Sequence, residues 1–344
     1  QDLTWEIVNK MNLGVELGFL NGMIDLQLDY FDERRKDIFM PRESVPMTAG
    51  FMKQPWKNFG KVTNQGVEVS LNVNKQFGKD LFVSLMGTFT YAHNEITEKD
   101  EPSAVVGTNR AETGHPVGQL TGYIAEGLFT EDDFEDVSTG KLKEGIPTQS
   151  FVSKLRPGDI RYRDVNGDGK VDVFDKSPIG GTKDPEIVYG FGLNMKYKDL
   201  DFGVLFQGIG RSWNILGSSI IPGANRGVTG NMFTNANDRW TVDNPSQNVF
   251  YPSSGCGINS NNNQSSTWWL RNMSFLRLKN IELGYSLPKS LWRNTTVISG
   301  IRLFVRGTNL LTFSKFDLWD PEVENTTGAA YPIMKSSAGF EIKF

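Results

Sequence analysis

Hydrophobic and polar side chains alternate with a period of two residues along much of this chain. Leucine, valine and phenylalanine occupy every second position before the Asn21-Gly22 pair, and the alternation resumes directly after it. Successive side chains of a strand point to opposite faces, and Asn-Gly is typical of a tight turn between antiparallel strands. A change of phase near Lys279-Asn280 predicts a β-bulge. The alternation predicts strands over 13–19, 24–30, 67–73, 81–91, 187–197, 200–206, 276–287, 301–305 and 340–344.

The lengths of these strands and of their connections indicate a membrane protein. Several runs last about ten residues, enough for a tilted strand to cross a bilayer, whereas strands of globular proteins average about 5–6 residues. Short turns alternate with long polar segments, as in outer-membrane barrels, where the short turns are periplasmic and the long loops extracellular. The short turns are 20–22, 77–80 and 198–199, and the long segments are 32–65, 94–115, 211–265 and 310–330.

We therefore predict an all-β fold, part of a transmembrane antiparallel up-and-down β-barrel. The segment between Asn94 and Glu186 must contain zero or two crossings, with 118–129 and 159–163 as candidates, so the chain supplies nine or eleven strands. An open sheet of that size would expose unpaired backbone groups to lipid, at several kcal/mol for each group. We expect residues 1–344 to be the carboxy-terminal part of one barrel domain, with the missing strands in an upstream segment or another chain.

Composition and charge narrow the function classes. Hydrophobic residues make up 38% of the chain, aromatic residues 12%, and 36 residues are glycine, which fits strands with one face in lipid and one in water. The net charge of −4 and the lack of a large basic patch do not favour nucleic-acid binding. The single cysteine, Cys256, excludes an internal disulfide. His93 and His115 have no second ligand at metal spacing, and no nucleophile pairs with a base, so we predict no catalytic residues and no enzymatic activity.

Short motifs spread over the whole chain carry a family resemblance. The most distinctive motif runs from Arg156 to Gly169 and reads RPGDIRYRDVNGDG. The others are LTWE at 3–6, NQGVE at 64–68, IG at 179–180, YGF at 189–191, WLR at 269–271, FLRLKN at 275–280, LGYSLP at 283–288, NL at 309–310, DPE at 320–322 and YP at 331–332. In this order the motifs resemble the SusC/RagA-like family of TonB-dependent receptors, which is found in Bacteroidetes.

That resemblance implies a barrel of about 22 strands with a plugged lumen, in the outer membrane of a Gram-negative, Bacteroidetes-like cell. It implies active import of a bulky nutrient, with an oligosaccharide as the first choice and a peptide as the alternative. It also implies a SusD-like surface lipoprotein that acts as a lid. We expect the plug domain to be absent from this chain, so that TonB acts through a missing amino-terminal part. Two interpretations from other classes stay open, a passive porin-like barrel and an extracellular calcium-dependent β-sandwich binding module.

One segment has the spacing of a calcium-binding loop. Side-chain oxygens fall at positions 1, 3, 5, 9 and 12 of a twelve-residue pattern, a backbone carbonyl at position 7, and Gly169 at position 6, where the turn is sharp. The predicted ligand residues are Asp164, Asn166, Asp168, Lys170, Asp172 and Asp175. We therefore predict an extracellular calcium-type loop at 156–185. The alternative is an Asx-rich turn without metal, and aspartate in place of glutamate at the last position weakens the case for bidentate coordination.

Tryptophans in and beside the long segment 211–265 are candidates for contact with a ligand or with the membrane. We predict substrate-binding roles for Trp213 and Trp240, whose rings can form stacking platforms. For Trp268 and Trp269, at a strand start, we favour the aromatic girdle of the membrane. The asparagine-rich run 259–263 is typical of a mobile loop tip.

Overall fold

The computed structural model describes residues 3–217, 234–254, 259–292, 297–323 and 333–344. Cys256 and the Tyr331-Pro332 motif lie outside these described residues. The strands are β1 (Ile7–Phe19), β2 (Ile24–Pro41), β3 (Trp56–Phe77), β4 (Leu81–Glu98), β5 (Thr121–Gly122), β6 (Ala125–Leu128), β7 (Phe134–Asp136), β8 (Lys141–Leu142), β9 (Thr148–Gln149), β10 (Ile160–Tyr162), β11 (Lys170–Val171), β12 (Ser177–Pro178), β13 (Ile187–Tyr197), β14 (Leu200–Gly210), β15 (Trp213–Ile215), β16 (Leu270–Asn272), β17 (Phe275–Ser286), β18 (Gly300–Ser314) and β19 (Lys335–Lys343). Short 3-10 helices span Met47–Ala49, Glu131–Asp133, Val173–Asp175 and Lys289–Trp292. None of the helices in the described ranges has the length and apolar character needed to cross a bilayer.

Nine of these strands are long and form one antiparallel sheet. Their order is β1-β2-β3-β4-β13-β14-β17-β18-β19, which is the up-and-down arrangement that the alternation predicts. The chain does not cross the sheet between β4 and β13, because the two candidate crossings, 118–129 and 159–163, form the small pairs β5–β12 and β6–β10 instead. Of the two predicted strand numbers, the described residues therefore contain the smaller. The edge strands β1 and β19 each pair on one side only.

The long strands extend past their predicted limits at one end of the sheet. β2 runs to Pro41 and β3 begins at Trp56, so most of the predicted polar segment 32–65 is strand and not loop. In these extensions the register places charged residues opposite each other, as where Lys61 of β3 forms an ion pair with Glu98 of β4. Backbone pairing continues there although the side chains no longer alternate in polarity, so the alternation underestimates the strand ends.

The two faces of the sheet have opposite chemical character. On the outward face, large apolar side chains are uncovered, with Leu13 66% exposed, Leu85 47% and Phe191 45%. The other face carries polar and charged side chains, such as the cross-strand neighbours Asp29 and Glu68. Within the described residues no second layer of protein covers the apolar rows, as a β-sandwich would require. We call this sheet the barrel wall, since its faces suit hydrocarbon outside and a wet lumen inside.

The predicted bulge is present in β17. Lys279 has no register partner on either side, whereas Leu278 and Asn280 pair with both neighbouring strands. One extra residue reverses the alternation of a strand. The odd-numbered residues of β17 therefore face outward on one side of the bulge, and they face the lumen on the other side, where Arg277 lies.

The hydrophobic core lies in the long connections, which we call the loop assembly and define as the described residues of 99–186, 211–274 and 315–323. Its cluster of buried side chains contains Tyr123, Leu128, Ile160, Tyr162, Val171, Leu216, Trp240, Tyr251, Trp269, Met273, Phe316 and Trp319. The predicted girdle position of Trp269 is wrong. Its side chain is 1% exposed, and its Nε1 donates a hydrogen bond to the Asn262 carbonyl oxygen at 2.8 Å. The strand that follows Trp269 is the short β16, which pairs with β15 within the loop assembly.

A buried polar network lies beside this core. The Oδ1 atom of Asp159 accepts hydrogen bonds from Asn259 Nδ2 at 2.7 Å and from Asn262 Nδ2 at 2.9 Å. Asn261, which has no exposed surface, donates from Nδ2 to a β10 carbonyl oxygen at 2.8 Å. The predicted place of 259–263 at a mobile loop tip is therefore wrong. Short amide side chains tolerate burial when distant partners satisfy their hydrogen bonds.

Candidate functional site

The calcium-type loop is wound by hydrogen bonds to its own backbone amides. The carboxylate of Asp164 accepts hydrogen bonds from the N–H groups of Gly167 and Gly169, both at 2.7 Å. The carboxylate of Asp168 accepts one from the Lys170 N–H at 2.9 Å. Gly169 has a φ of +87°, as the sharp turn predicted at its position requires. The spacing in the sequence thus corresponds to one compact turn of chain.

The last predicted ligand of this loop is held by backbone amides. Asp175 is fully buried, and its carboxylate accepts hydrogen bonds from the Val165 N–H at 2.7 Å and the Asp172 N–H at 2.8 Å. The Phe174 N–H, and after it the Lys170 ammonium, holds the pKa of Asp172 below its ordinary value of 3.8. In the part of the chain that the structure describes, no three Asp, Glu, His or Cys side chains gather into a metal-binding group. The contacts are those of an Asx-rich turn, and calcium binding stays a prediction.

The calcium-type loop is fixed to the rest of the loop assembly. Its strand β11 pairs in parallel with β9, and Val171 is fully buried in the hydrophobic cluster. Asn109 Nδ2 donates to the carbonyl oxygens of Phe174 at 2.9 Å and Lys176 at 2.7 Å. Burial, reinforced by the nearby loop carboxylates, raises the pKa of Tyr123 to about 12. A change of conformation in this loop would therefore alter the packing around Val171 in the hydrophobic cluster of the loop assembly.

The two tryptophans predicted to bind substrate pack against glycines. Trp213, half-buried at the start of β15, has its ring against Gly180 and Gly181. Trp240 is 8% exposed and packs on Gly158 within the hydrophobic cluster. Gly158 and Gly180 belong to motifs that carry the family resemblance, so these motifs have a packing role. Little of the Trp240 ring is open to a ligand, and a ligand role for either tryptophan is still a prediction.

A cavity that the sequence did not predict lies on the lumen face, at the end of the barrel wall nearest the loop assembly. Its volume is about 620 Å³, and we call it the rim cavity. Strands β1–β4 form one side, and the segments 112–117 and 182–186 form the others. Asn94 Oδ1 accepts a hydrogen bond from the Val117 N–H at 2.7 Å, and the Glu186 carbonyl oxygen accepts one from the β4 backbone at 2.9 Å. Residues from so many separate segments leave no local signal in the sequence.

A buried ion-pair group joins the barrel wall to the loop assembly. Arg277 of β17 is 1% exposed, and its guanidinium contacts the carboxylates of Asp320 and Glu322. Its Nε also donates to Thr312 Oγ1 at 3.0 Å, and its guanidinium lies 4.9 Å from the centre of the Phe275 ring. The FLRLKN and DPE motifs, which are far apart in the sequence, meet at these contacts.

One family model matches most of the chain. The family is described as TonB dependent receptor-like, β-barrel, and the match covers residues 1–310. The chain is 28% identical to the TonB-dependent receptor SusC of Bacteroides thetaiotaomicron, over 100% of the chain and 32% of that protein. It is 27% identical to the TonB-dependent receptor P26 of Formosa agariphila, over 94% of the chain and 32% of that protein. The chain therefore spans about a third of the length of these curated relatives.

Solved structures of the RagAB peptide importer share the fold of this chain. The open-open state matches with a TM-score of 0.72 and 26% identity, over 100% of the chain and 35% of the matched chain. The closed-closed state matches with a TM-score of 0.71 and 26% identity, over 100% of the chain and 36% of the matched chain. The predicted fold, a partial antiparallel barrel, is confirmed.

Proposed function

The chain belongs to the TonB dependent receptor-like β-barrel family, and from that premise we propose that it forms part of the wall of an outer-membrane importer. The importer takes up a bulky nutrient, with energy supplied through TonB. The observation that carries this proposal is the barrel wall, with uncovered apolar rows on one face and charged residues on the other. Such a wall needs hydrocarbon on one side and water on the other. The chain is part of a receptor and not of an enzyme, because its family and the relatives it matches are receptors.

The cargo, the partner and the location are proposals that rest on the relatives. We propose an oligosaccharide or a peptide as cargo, and the likeness to a structure described as a peptide importer supports the second choice. A SusD-like lipoprotein would cap the pore, resting on the loop assembly, whose buried core makes it a firm rim. TonB would act through a plug-bearing part that is not within residues 1–344. The likeness to receptors of Bacteroides and Formosa supports an outer membrane of that bacterial group.

Uptake by cells that carry the full-length receptor tests the energy coupling. We expect uptake of the nutrient to stop when a protonophore collapses the proton gradient and when TonB is deleted. Uptake that continues under both conditions would identify a passive, porin-like barrel instead. A receptor that stays soluble without detergent would favour the β-sandwich alternative, since that fold has no face for lipid.

We also propose that calcium binds the loop at 156–185 on the outer side of the membrane. The proposal is supported by the ligand spacing and by the compact turn that the loop forms. We expect calcium to slow proteolysis within this segment of the full-length receptor, and a chelator to reverse the effect. Asp168→Ala should abolish the protection, whereas Asp132→Ala, in an acidic 3-10 helix outside the loop, should retain it. Equal cleavage with calcium and with chelator would identify the loop as a metal-free Asx-rich turn.

A further inference from the structure

Aliphatic side chains form a large part of the floor of the rim cavity, although this floor faces the lumen. These aliphatic side chains come from all four strands of that side, and they are Val8, Ile38, Met40, Val62 and Ile96. The same strands also contribute polar and charged lining residues, including Glu33, Arg35, Asn64 and Asn94, and the two charged ones among these are ion-paired, Glu33 with Lys10 and Arg35 with Glu6. Farther along the same face, β1 and β2 carry polar and charged residues, such as Glu16, Asp25 and Asp29. The free energy falls when another apolar group covers apolar surface that is exposed to water. The floor is therefore suited to a cargo that has aliphatic groups.

Charged side chains of both signs surround this floor. Lys61 forms an ion pair with Glu98, and Lys99 Nζ lies 2.6 Å from Glu112 Oε1. Asp184 also lines the cavity, is exposed, and has no ion-pair partner in the part of the chain that the structure describes. An unpaired carboxylate at the edge of a cavity attracts a cation, and the attraction is stronger there than in bulk water. The edge is thus suited to a ligand that brings an ammonium group.

Aromatic side chains do not contribute to the lining of the rim cavity within the described ranges. Sugar rings commonly stack their C–H faces on aromatic rings, whose faces are electron-rich. In this chain, aromatic residues lie in the hydrophobic cluster of the loop assembly and in the outward rows of the barrel wall. An aliphatic floor beside an unpaired carboxylate matches a chain of amino acids better than a neutral glycan.

We propose that the rim cavity binds a short stretch of peptide, with an aliphatic side chain on the floor near Ile96 and an ammonium group near Asp184. The inference rests on the proposed import function and names the class of cargo that the lumen accepts. The cavity volume of about 620 Å³ is in the range of about 300–1,000 Å³ that holds small ligands. It therefore holds part of a cargo, and other lumen surfaces contact the remainder.

Binding of dye-labelled pentapeptides to the purified full-length receptor tests the two contacts separately. The peptide KLVLA presents both an ammonium group and aliphatic side chains, the peptide KNSNA keeps only the ammonium group, and acetylated QLVLA keeps only the aliphatic side chains. We expect KLVLA to bind on the order of tenfold more tightly than KNSNA, a difference of about 1.4 kcal/mol. Maltohexaose should not compete with KLVLA.

Two substitutions and a matched control locate the site. Ile96→Asp should weaken KLVLA binding on the order of tenfold, whereas Ser84→Asp, on the lumen face of the same strand but outside the cavity, should have no effect. Asp184→Asn should weaken KLVLA roughly threefold, as for a partly exposed ion pair, and should leave acetylated QLVLA unchanged. The comparison of the two peptides on Asp184→Asn remains informative even if the Ile96→Asp variant does not fold.

Three outcomes would overturn the inference: equal binding of KLVLA and KNSNA, equal effects of Ile96→Asp and Ser84→Asp, or competition by maltohexaose. Its failure is distinguishable from failure of the proposed function. Energy-dependent uptake of maltohexaose without peptide binding would reject the peptide site and keep the importer. Peptide binding with uptake that persists under a protonophore would keep the site and reject the importer.

Discussion

The barrel wall and the loop assembly treat hydrophobic residues in opposite ways. In the barrel wall, Leu85 and Phe191 are 47% and 45% exposed, and no protein covers their rows in the described part of the chain. In the loop assembly, Trp269 and Tyr162 are 1% and 2% exposed and lie in one cluster. The wall therefore takes its apolar environment from the membrane, whereas the loop assembly builds its own from residues far apart in the sequence.

Polar residues show the same division. Lys10, on the lumen face, forms an ion pair with Glu33 and is still 67% exposed, so water solvates the pair. Asp159, in the loop assembly, is 1% exposed and depends on hydrogen-bond donors from the protein. Buried polar groups are costly unless they are paired. Substitutions should therefore have different effects in the two regions, and the difference can be measured.

Trp269→Ala should have the largest effect and should act on the loop assembly alone. Removal of a buried Trp side chain costs about 3–5 kcal/mol, and the hydrogen bond to the Asn262 carbonyl oxygen is lost as well. We expect hydrogen–deuterium exchange of the full-length receptor to speed up in β10, β15 and β16, with no change in β13 and β14. Equal acceleration in all five strands would contradict the separation of the two regions.

Leu85→Arg should have the next largest effect, and it should act on the barrel wall alone. An arginine on the lipid face costs about 2–4 kcal/mol at the bilayer midplane. Ser84→Arg, one residue away on the lumen face, is the matched control and should change stability little. Denaturant unfolding of the receptor in phospholipid vesicles measures both variants. If both variants lost the same stability, the outward row would not face hydrocarbon.

The stability of the loop assembly should depend on the protonation of Asp159. Burial raises the pKa of this carboxyl above its ordinary value of 3.8, although hydrogen bonds from Arg156, Asn262, Asn259 and Ser253 oppose the shift. A carboxyl with a higher pKa in the folded state binds more protons when folded. Its contribution is therefore greatest below pH 3.8, falls as the pH rises through the raised pKa, and is constant above it.

Asp159→Asn isolates this contribution. Asparagine has one acceptor oxygen where aspartate has two, so the variant cannot accept both the Arg156 N–H, which lies 2.9 Å from Asp159 Oδ2, and the amides of Asn259 and Asn262 at Oδ1. An unsatisfied buried donor costs about 1–3 kcal/mol. We expect the wild-type advantage to be of that size at acidic pH and to narrow as the pH rises. Hydrogen exchange in β10, corrected for the intrinsic rate at each pH, measures it. An advantage that widens with pH would show that the pKa is lowered by folding.

Lys10→Gln should have the smallest effect. The pair with Glu33 is exposed to the lumen, and exposed ion pairs contribute about 0–1 kcal/mol. We expect the midpoint of unfolding in vesicles to change by no more than its experimental error. A loss comparable to that of Leu85→Arg would mean that the lumen face is dry at this position.

The barrel wall could be predicted from the sequence because its cause is local. A strand between hydrocarbon and water must alternate, so the runs 187–197 and 200–206 correspond directly to β13 and most of β14. The bulge could be predicted because Lys279 changes the phase of that alternation. The outer strand ends could not, since pairs such as Lys61 with Glu98 continue the backbone pairing without an apolar period.

The loop assembly could not be predicted because its contacts join distant residues. The run 259–263 has the composition of an exposed loop, and only its contact with Asp159 explains its burial. The spacing of the calcium-type loop is local and could be recognised, but the occupation of the Asp175 carboxylate by backbone amides could not. The rim cavity could not be predicted at all, since it is lined by strands and loops that are distant in the sequence and come together only on folding.

The unpaired Lys279 determines where a charge can be placed in its strand. If Lys279 were paired as in a regular strand, Arg277 would continue the outward column of Ile281 and direct its guanidinium into lipid. Because the bulge leaves Lys279 out of the pairing, Arg277 faces the lumen instead, and its guanidinium contacts Asp320 and Glu322. One strand therefore faces the bilayer along most of its length and, at one end, holds an arginine against two carboxylates of the loop assembly.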